Sequence, residues 1–265
     1  AVVNNFGTFT KSGGAVTSTI STTFNNSGTV NVQSGTLSLS GNGTDVGASY
    51  TGAGTIQFSG GTRTLDAASS ITAANAIFSA GTTTLSGIYN VAGTTTVSGG
   101  TATLSGTLSS LGNALIISSG TLSLNTSNAT VATLTQSGGG LNGAGTLTVS
   151  GLSTLSGGTE SGTGTTVAQG GAAFSSTGFT LDGGRTLQLG GTSTATGTDV
   201  FIQLNGSSNP GSGILTIGSG ATLHDQTTSS GMSIFASNFG GTDTGATAVV
   251  NNFGTFTKSG GAVTS

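Results

Sequence analysis

The chain has 265 residues, of which only 4% are charged, with 50 Gly, one Pro and no Cys. The absence of Cys excludes disulfides and Cys-ligated metal sites, and the single Pro excludes collagen. The four cations are too few to form a phosphate-binding surface, so we expect no nucleic-acid partner. No apolar run approaches the roughly 20 residues that a membrane-spanning helix needs. A third of the residues are nevertheless hydrophobic, so the chain can bury a narrow core.

The same eighteen residues, AVVNNFGTFTKSGGAVTS, stand at Ala1–Ser18 and again at Ala248–Ser265, an offset of 247 residues. Self-similarity at a fixed period is typical of stacked repeat architectures. We therefore interpret residues 1–247 as one full repeat and residues 248–265 as the start of the next identical repeat. The sequence leaves open whether the repeats are covalently continuous or are separate subunits that abut.

Short strand patterns recur along the whole chain. In each pattern apolar residues alternate with Thr or Ser, and Gly stands at both ends. The first three in chain order are GTFTKSGG (Gly7–Gly14), GTVNVQSG (Gly28–Gly35) and GTLSLSG (Gly35–Gly41). No segment has the apolar spacing of a helix, and Thr, Ser and Gly disfavour helices. The sequence therefore predicts an all-β protein.

The spacing of these patterns predicts a solenoid. Twelve apolar anchors from Phe9 to Phe256 follow one another at similar intervals, except that the step from Ile116 to Leu147 is longer and should enclose a loop, at Asn125–Thr130 or at Ser137–Gly145. Eleven steps in 247 residues give about 22 residues per rung, which suits a coil of three short strands and is about half a β-propeller blade. About eleven rungs would rise about 53 Å per repeat. A further loop is predicted at Asn205–Gly213, which contains the single Pro.

Three longer strings carry a family resemblance: FNNSGTVNVQSGTLSLSG (Phe24–Gly41), GAGTIQFSGG (Gly52–Gly61) and GAGTLTVSGLSTLSGG (Gly143–Gly158). They resemble the passenger repeats of bacterial autotransporters and of filamentous-haemagglutinin-like adhesins. The resemblance implies a right-handed parallel β-helix at the bacterial cell surface, with a role in adhesion, biofilm or a surface layer. The unbroken duplication points further, to part of a giant tandem-repeat surface protein.

The acidic residues do not predict a catalytic or metal site. A glycoside-cleaving β-helix needs carboxylates that converge on a groove, whereas these acids are scattered singly. We expect such single acids to lie in turns or loops. We therefore expect no enzyme activity, no cofactor and no bound metal. We also expect His224 and Asp225, which include the only His, to lie at a solvated corner. The seven acids are Asp45, Asp66, Glu160, Asp182, Asp199, Asp225 and Asp243.

The sequence thus favours a non-catalytic structural subunit of an extracellular filament or stalk, built by end-to-end stacking of repeats. The partner of the chain is then another copy of itself. The alternative is a surface adhesin that binds glycans or neighbouring cells through the side face or loops of the solenoid. The residues expected to stack between repeats are Phe6, Phe9, Val16, Phe253, Phe256 and Val263.

Overall fold

The structure is a computed structural model that describes residues 1–175, 177–228, 231–241 and 243–259. The chain divides into two compact units, Ala1–Ala129 and Thr130–Ser265, and each is described by itself. The described residues form strands and turns and contain no helix, so none of them forms a helix that could cross a membrane.

The strands of the first unit are short, apart from four that bend round a corner. They are β1 (Val2–Asn5), β2 (Thr8–Lys11), β3 (Thr17–Ile20), β4 (Thr23–Asn26), β5 (Thr29–Val32), β6 (Thr36–Leu39), β7 (Gly43–Asp45), β8 (Ser49–Thr51), β9 (Thr55–Leu65), β10 (Ser70–Ile71), β11 (Asn75–Leu85), β12 (Ile88–Val91), β13 (Thr94–Leu104), β14 (Thr107–Leu111) and β15 (Ala114–Ser123).

These strands stack in parallel on three faces. The first face contains β1, β4, β7 and the second halves of the bent strands β9, β11, β13 and β15. The second face contains β2, β5, β8, β10, β12 and β14. The third contains β3, β6 and the first halves of the bent strands. Paired residues are one turn apart in the sequence, as Val2 with Thr23 and Ser70 with Ile88, so a turn takes about 20 residues.

The second unit is built from the remaining strands; the first of them starts at the last residue of the first unit. They are β16 (Ala129–Val131), β17 (Thr133–Asn142), β18 (Thr146–Val149), β19 (Ser153–Glu160), β20 (Thr165–Ala168), β21 (Ala172–Phe174), β22 (Thr177–Leu181), β23 (Thr186–Leu189), β24 (Thr192–Ala195), β25 (Asp199–Gln203), β26 (Ile214–Ile217), β27 (Thr222–Asp225), β28 (Gly231–Phe235), β29 (Val249–Asn252) and β30 (Thr255–Lys258).

The second unit has the same three-faced plan with longer turns. Its first face contains the second halves of the bent strands β17 and β19, then β22, β25 and β28. Its second face contains β16, β18, β20, β23, β26 and β29. Its third contains the first halves of β17 and β19, then β21, β24, β27 and β30. The turns lengthen along this unit because loops are inserted between strands. Thr146 and its partner Thr165 are separated by a short turn, whereas Ile214 and its partner Val249 are much further apart in the sequence.

The core of each unit is a column of inward side chains. In the first unit Phe58 stacks on Phe78 at 5.5 Å between ring centroids, and Tyr50 and Tyr89 continue the aromatic column on either side. All four rings are buried, as are the inward leucines of the second unit, for example Leu187. Burial of a large apolar side chain stabilises the fold by about 1.5–3 kcal/mol, so the column is the main source of stability.

Glycine at the bend between the third and first faces lets successive turns approach closely. Gly61, Gly81 and Gly120 all have φ between 65° and 72°, a conformation that other residues rarely adopt. A Cβ added to Gly81 would lie 2.1 Å from the Gly61 carbonyl oxygen of the preceding turn. The bend therefore requires Gly for both backbone conformation and space.

The predicted parallel β-solenoid is confirmed, with turns close to the predicted length in the first unit. The predicted loop around Pro210 is also confirmed, since no strand lies between β25 and β26. The loop expected between Ile116 and Leu147 is wrong for Ser137–Gly145, because β17 runs to Asn142, whereas the other predicted position, Asn125–Thr130, begins in the turn between β15 and β16.

Candidate functional sites at the open ends and in a loop cavity

The first turn of the first unit is covered on one side. Its strands β1 and β2 pair with β4 and β5 of the following turn. Phe9 of β2 packs edge-on against Phe24, with ring centroids 5.8 Å apart, but is only half-buried. Two asparagine pairs link the strands of the first face: Asn5 Nδ2 donates to Asn26 Oδ1 at 2.8 Å, and Asn25 Nδ2 donates to Asn4 Oδ1 at 3.0 Å.

The last turn of the second unit is covered by the turn that precedes it. Its strands β29 and β30 pair with β26 and β27 of the preceding turn. The inward side chains Val250 and Phe256 are 46% and 40% exposed, whereas their partners Leu215 and Leu223 are buried. Val250 and Phe256 line an apolar cup of about 220 Å³ at the end of the core, together with Ile217, Ile234 and Asn252. Exposed sheet edges and apolar ends of this kind favour association with further strands.

The residues predicted to stack between repeats divide into two groups. Phe9 and Phe256 point into the core and lie at the open ends. Phe6 and Phe253 each occupy the corner between two strands. The following turn packs beside Phe6 and the preceding turn packs beside Phe253, yet the two side chains are 79% and 68% exposed. Both therefore point sideways, away from the core. Val16 is likewise exposed, and Val263 lies outside the described residues.

The lysine of the duplicated segment has different partners in its two copies. Lys11 Nζ donates to the carbonyl oxygens of Gly13 and Ser34, each at 3.1 Å, and the side chain is buried. Lys258 Nζ lies 3.2 Å from Asp225 Oδ2, in the preceding turn, and donates to the Thr227 carbonyl oxygen at 3.2 Å. One copy thus contacts the following turn and the other contacts the preceding turn.

A buried polar cluster in the first unit joins Arg63 and Asp45, which are one turn apart. Arg63 Nη1 lies 2.9 Å from both Asp45 oxygens, and the Tyr50 hydroxyl donates to Asp45 Oδ2 at 2.7 Å. Burial raises the pKa of Asp45, an effect that the nearby Arg63 guanidinium opposes. Burial also raises the pKa of the Tyr50 hydroxyl well above its ordinary value. The charges of Arg63 and Asp45 are thus paired and hydrogen-bonded inside the core, so we assign the cluster a structural role.

The second unit contains a comparable cluster. Arg185 Nε lies 3.2 Å from Glu160 Oε2, and Arg185 Nη2 donates to Thr166 Oγ1 at 2.8 Å. Thr166 Oγ1 in turn donates to the same glutamate oxygen. Glu160 and Arg185 are both buried. Sequence reasoning did not predict that Arg63 and Arg185 are buried. Each arginine follows its acid by about one turn, 18 residues after Asp45 and 25 residues after Glu160, and this spacing was the signal that could have predicted the pairs.

The expectation that acids lie singly in turns or loops is wrong for Asp45 and Glu160, which are in strands and paired with arginine. The expected solvated corner at His224 and Asp225 is also wrong, because both residues belong to β27 and Asp225 is buried. His224 Nε2 lies 2.5 Å from Ser259 Oγ. No group of three or more His, Asp or Glu that could hold a metal occurs within the described ranges.

Two loops of the second unit line an open cavity of about 380 Å³. Asn205 joins them: its Nδ2 donates to the Ser237 carbonyl oxygen at 2.6 Å and to Asp243 Oδ1 at 3.1 Å. Asp182 anchors the first loop by accepting from Asn209 Nδ2 at 2.8 Å. Asp243 Oδ2 is buried and has no hydrogen-bond partner among the described atoms. The cavity is lined by Ser207, Ser208, Asn209, Pro210, Phe239, Gly240, Gly241 and Asp243.

No protein-family model, curated protein or solved structure matches this chain.

Proposed function

We propose that this chain is a section of a non-catalytic, extracellular β-solenoid filament in which identical 247-residue repeats follow one another in one polypeptide. One observation carries the proposal: the two copies of the duplicated segment supply the two halves of a single junction. In the C-terminal copy the strands VVNN and TFTK have their preceding neighbours, β26 and β27. In the N-terminal copy the same strands have their following neighbours, β4 and β5.

The inward direction of the side chains agrees in the two copies. Val3 pairs with the buried Phe24, and its equivalent Val250 pairs with the buried Leu215. Because alternate residues of a strand point to opposite faces, a shift of one residue would have reversed this pattern. A chain that continues beyond the second copy can therefore add the next turn without changing register, and this turn would cover the apolar cup.

The lysine contacts support the same junction. When the two environments are combined, the ammonium group has a carboxylate (that of Asp225) in the preceding turn and a backbone carbonyl (that of Ser34) in the following turn. A buried ammonium group is costly unless it is paired and hydrogen-bonded, so the combined set is a better environment than either copy alone provides. The duplicated segment is thus suited to an interior position.

The experiment compares the present chain with a chain of two successive copies. Each copy should add about 53 Å to a rod seen by electron microscopy, the rise of about eleven rungs. In the longer chain, hydrogen exchange at the amides of β29 and β30 should slow to the rate of interior strands. Val250→Asp should abolish this protection because it places a charge in the core, whereas the outward substitution Thr255→Asp on the neighbouring strand should not. Two separate particles joined by an unprotected segment would overturn the proposal.

The loop cavity favours a second function, that of a glycan-binding surface adhesin. Saccharides are bound by aromatic faces together with a few placed polar groups, and the cavity is lined by Phe239, Asn209 and Asp243. The chain should bind glycans on an array, and this binding should be lost in Phe239→Ala. It should persist in Phe253→Ala, which removes a more exposed ring at a corner of the solenoid. Equal binding by both variants, or none by the wild type, would contradict this function.

A further inference from the structure

The first face of the first unit carries two columns of hydroxyl side chains on four successive turns, which we call the threonine array. The array lies in the second halves of β9, β11, β13 and β15. In the order in which these strands pair, the first column is Thr62, Thr82, Thr101 and Thr121. The second column lies two residues further along each strand and consists of Thr64, Thr84, Thr103 and Ser123. Thr44 of β7 pairs with Thr64 and extends the second column by one turn.

Both columns of the array face outwards. Alternate residues of a strand point to opposite sides, and the residue between the two columns is buried in every turn. These buried residues are Arg63, Thr83, Ala102 and Leu122. The members of the array are exposed or half-exposed. The register shifts of the β9–β11 and β13–β15 pairings lie at the bend, before the threonines, so strand pairing is unbroken across the array.

The hydroxyl groups of the array are available to water. In the part of the chain that the structure describes, no protein group hydrogen-bonds to them. Each hydroxyl can therefore both donate to and accept from water. Neighbouring strands are about 4.8 Å apart, and residues two positions apart on a strand are separated by about 6.7 Å, so the array has two perpendicular repeats. Both are close to the repeat distances of water oxygen atoms on the prism face of ice.

The chemistry of the array also suits ice. Ice is a neutral lattice in which every molecule donates and accepts hydrogen bonds, and the array contains hydroxyl groups and no charged side chain. Threonine is β-branched and has a restricted χ1, so little conformational entropy is lost when its hydroxyl is held in one position. A single hydrogen bond contributes little net free energy, but the array can form many at once.

The third face of the same four strands presents a mixed outward surface. One column there consists of Gln57, Ile77, Thr96 and Ile116 in the order in which the strands pair. An amide, two aliphatic side chains and one hydroxyl differ in length and polarity, so they cannot reproduce a regular lattice. The regular array is thus a property of the first face and does not follow from strand stacking alone.

We propose that the threonine array is an ice-binding surface, through which the chain adsorbs to the prism face of a growing ice crystal. Ice can then advance only between the attached molecules, which curves the growing surface and slows its growth. This function goes beyond the filament and the glycan-binding cavity and depends on neither, because the array lies entirely within Ala1–Ala129.

The test measures inhibition of ice recrystallisation, and the gap between the freezing and melting points, for the present chain and two matched variants. Thr101→Tyr places a large ring in the array, whereas Thr96→Tyr places the same ring on the third face of the same strand, β13. Both sites are half-exposed, and Tyr is favourable in strands, so both variants should keep the fold. The present chain and Thr96→Tyr should inhibit recrystallisation and open the gap. Thr101→Tyr should lose both effects, because its ring holds the ice lattice away from the hydroxyls.

The outcomes separate this function from the alternatives. No effect of the present chain on ice, or equal effects of the two variants, would overturn the proposal. Retention on crystalline cellulose without any effect on ice would also overturn it and assign the array to a polysaccharide. If circular dichroism shows that Thr101→Tyr does not fold, Thr82→Tyr, at a more exposed position of the same column, replaces it. None of these results bears on the filament, which is tested by the chain of two copies.

Discussion

The two copies of VVNNFGTFTK have one sequence and two environments. In the N-terminal copy Phe9 is half-buried against Phe24 of the next turn, whereas in the C-terminal copy Phe256 is exposed at the rim of an apolar cup. Both copies keep the same strands and the same inward side chains. The difference shows that in a solenoid the sequence determines strand and direction, while burial is supplied by the neighbouring turns.

The largest effect should come from comparing an interior ring with a terminal one on the same face. Phe174 of β21 is buried, while Phe256 of β30 lies at the open end. We expect Phe174→Ala to lower the free energy of unfolding by about 4 kcal/mol, as for large-to-small changes in a close-packed core. Phe256→Ala should cost only roughly 1 kcal/mol, because its ring is already partly in water. Denaturant unfolding followed by circular dichroism measures both.

The same pair sharpens the comparison in a chain of two copies. The ring of Phe256 becomes an interior ring there, so its substitution should approach the cost of Phe174→Ala. If Phe256→Ala still lowers the free energy of unfolding by only about 1 kcal/mol, no following turn covers the ring.

A smaller effect is expected at the duplicated lysine. Lys258→Met should cost about 2 kcal/mol because it leaves the buried carboxylate of Asp225 without its cation, whereas Lys11→Met, which removes contacts with backbone carbonyls, should cost about 1 kcal/mol. Addition of Asp225→Asn should restore part of the loss in Lys258→Met. Equal costs for the two lysines, measured by urea unfolding, would contradict the assigned environments.

The smallest effect concerns a turn of the first unit that has no duplicate. Asp66 accepts from Ser69 Oγ at 2.6 Å and from the Gly47 amide at 3.0 Å, and these bonds lower its pKa. A lowered pKa means that the carboxylate stabilises the folded state above its ordinary pKa of 3.8, and that this contribution is lost as the pH falls through the folded value. Asp66→Ala should therefore slightly lower the melting temperature at pH 7 and leave it unchanged at pH 2. A difference that persists at pH 2 would contradict this role.

The sequence predicted the strands, the turn length and the loop around Pro210 because these depend on local patterns: alternation, Gly at corners and a single Pro. It did not predict the face of each strand. Within the first unit, anchors such as Val30 and Ile56 have the same local pattern but lie on the second and third faces, so a series of similar strands can change face unnoticed.

The buried charges were missed for a related reason. Asp45 and Arg63 look like isolated surface residues in sequence, and only stacking brings them within 2.9 Å. The open ends show the opposite case: Phe9 and Phe256 were expected at a junction because the sequence itself is duplicated there.

The central claim is that the core continues unbroken from one copy into the next, and a cryo-electron microscopy map of the two-copy chain that resolves individual turns tests it most directly. We predict that β29 pairs with β26 on one side and with the second copy's counterpart of β4 on the other, at the ordinary spacing of about 4.8 Å. A gap in the stack at β29, or a different strand paired with it, would contradict the claim.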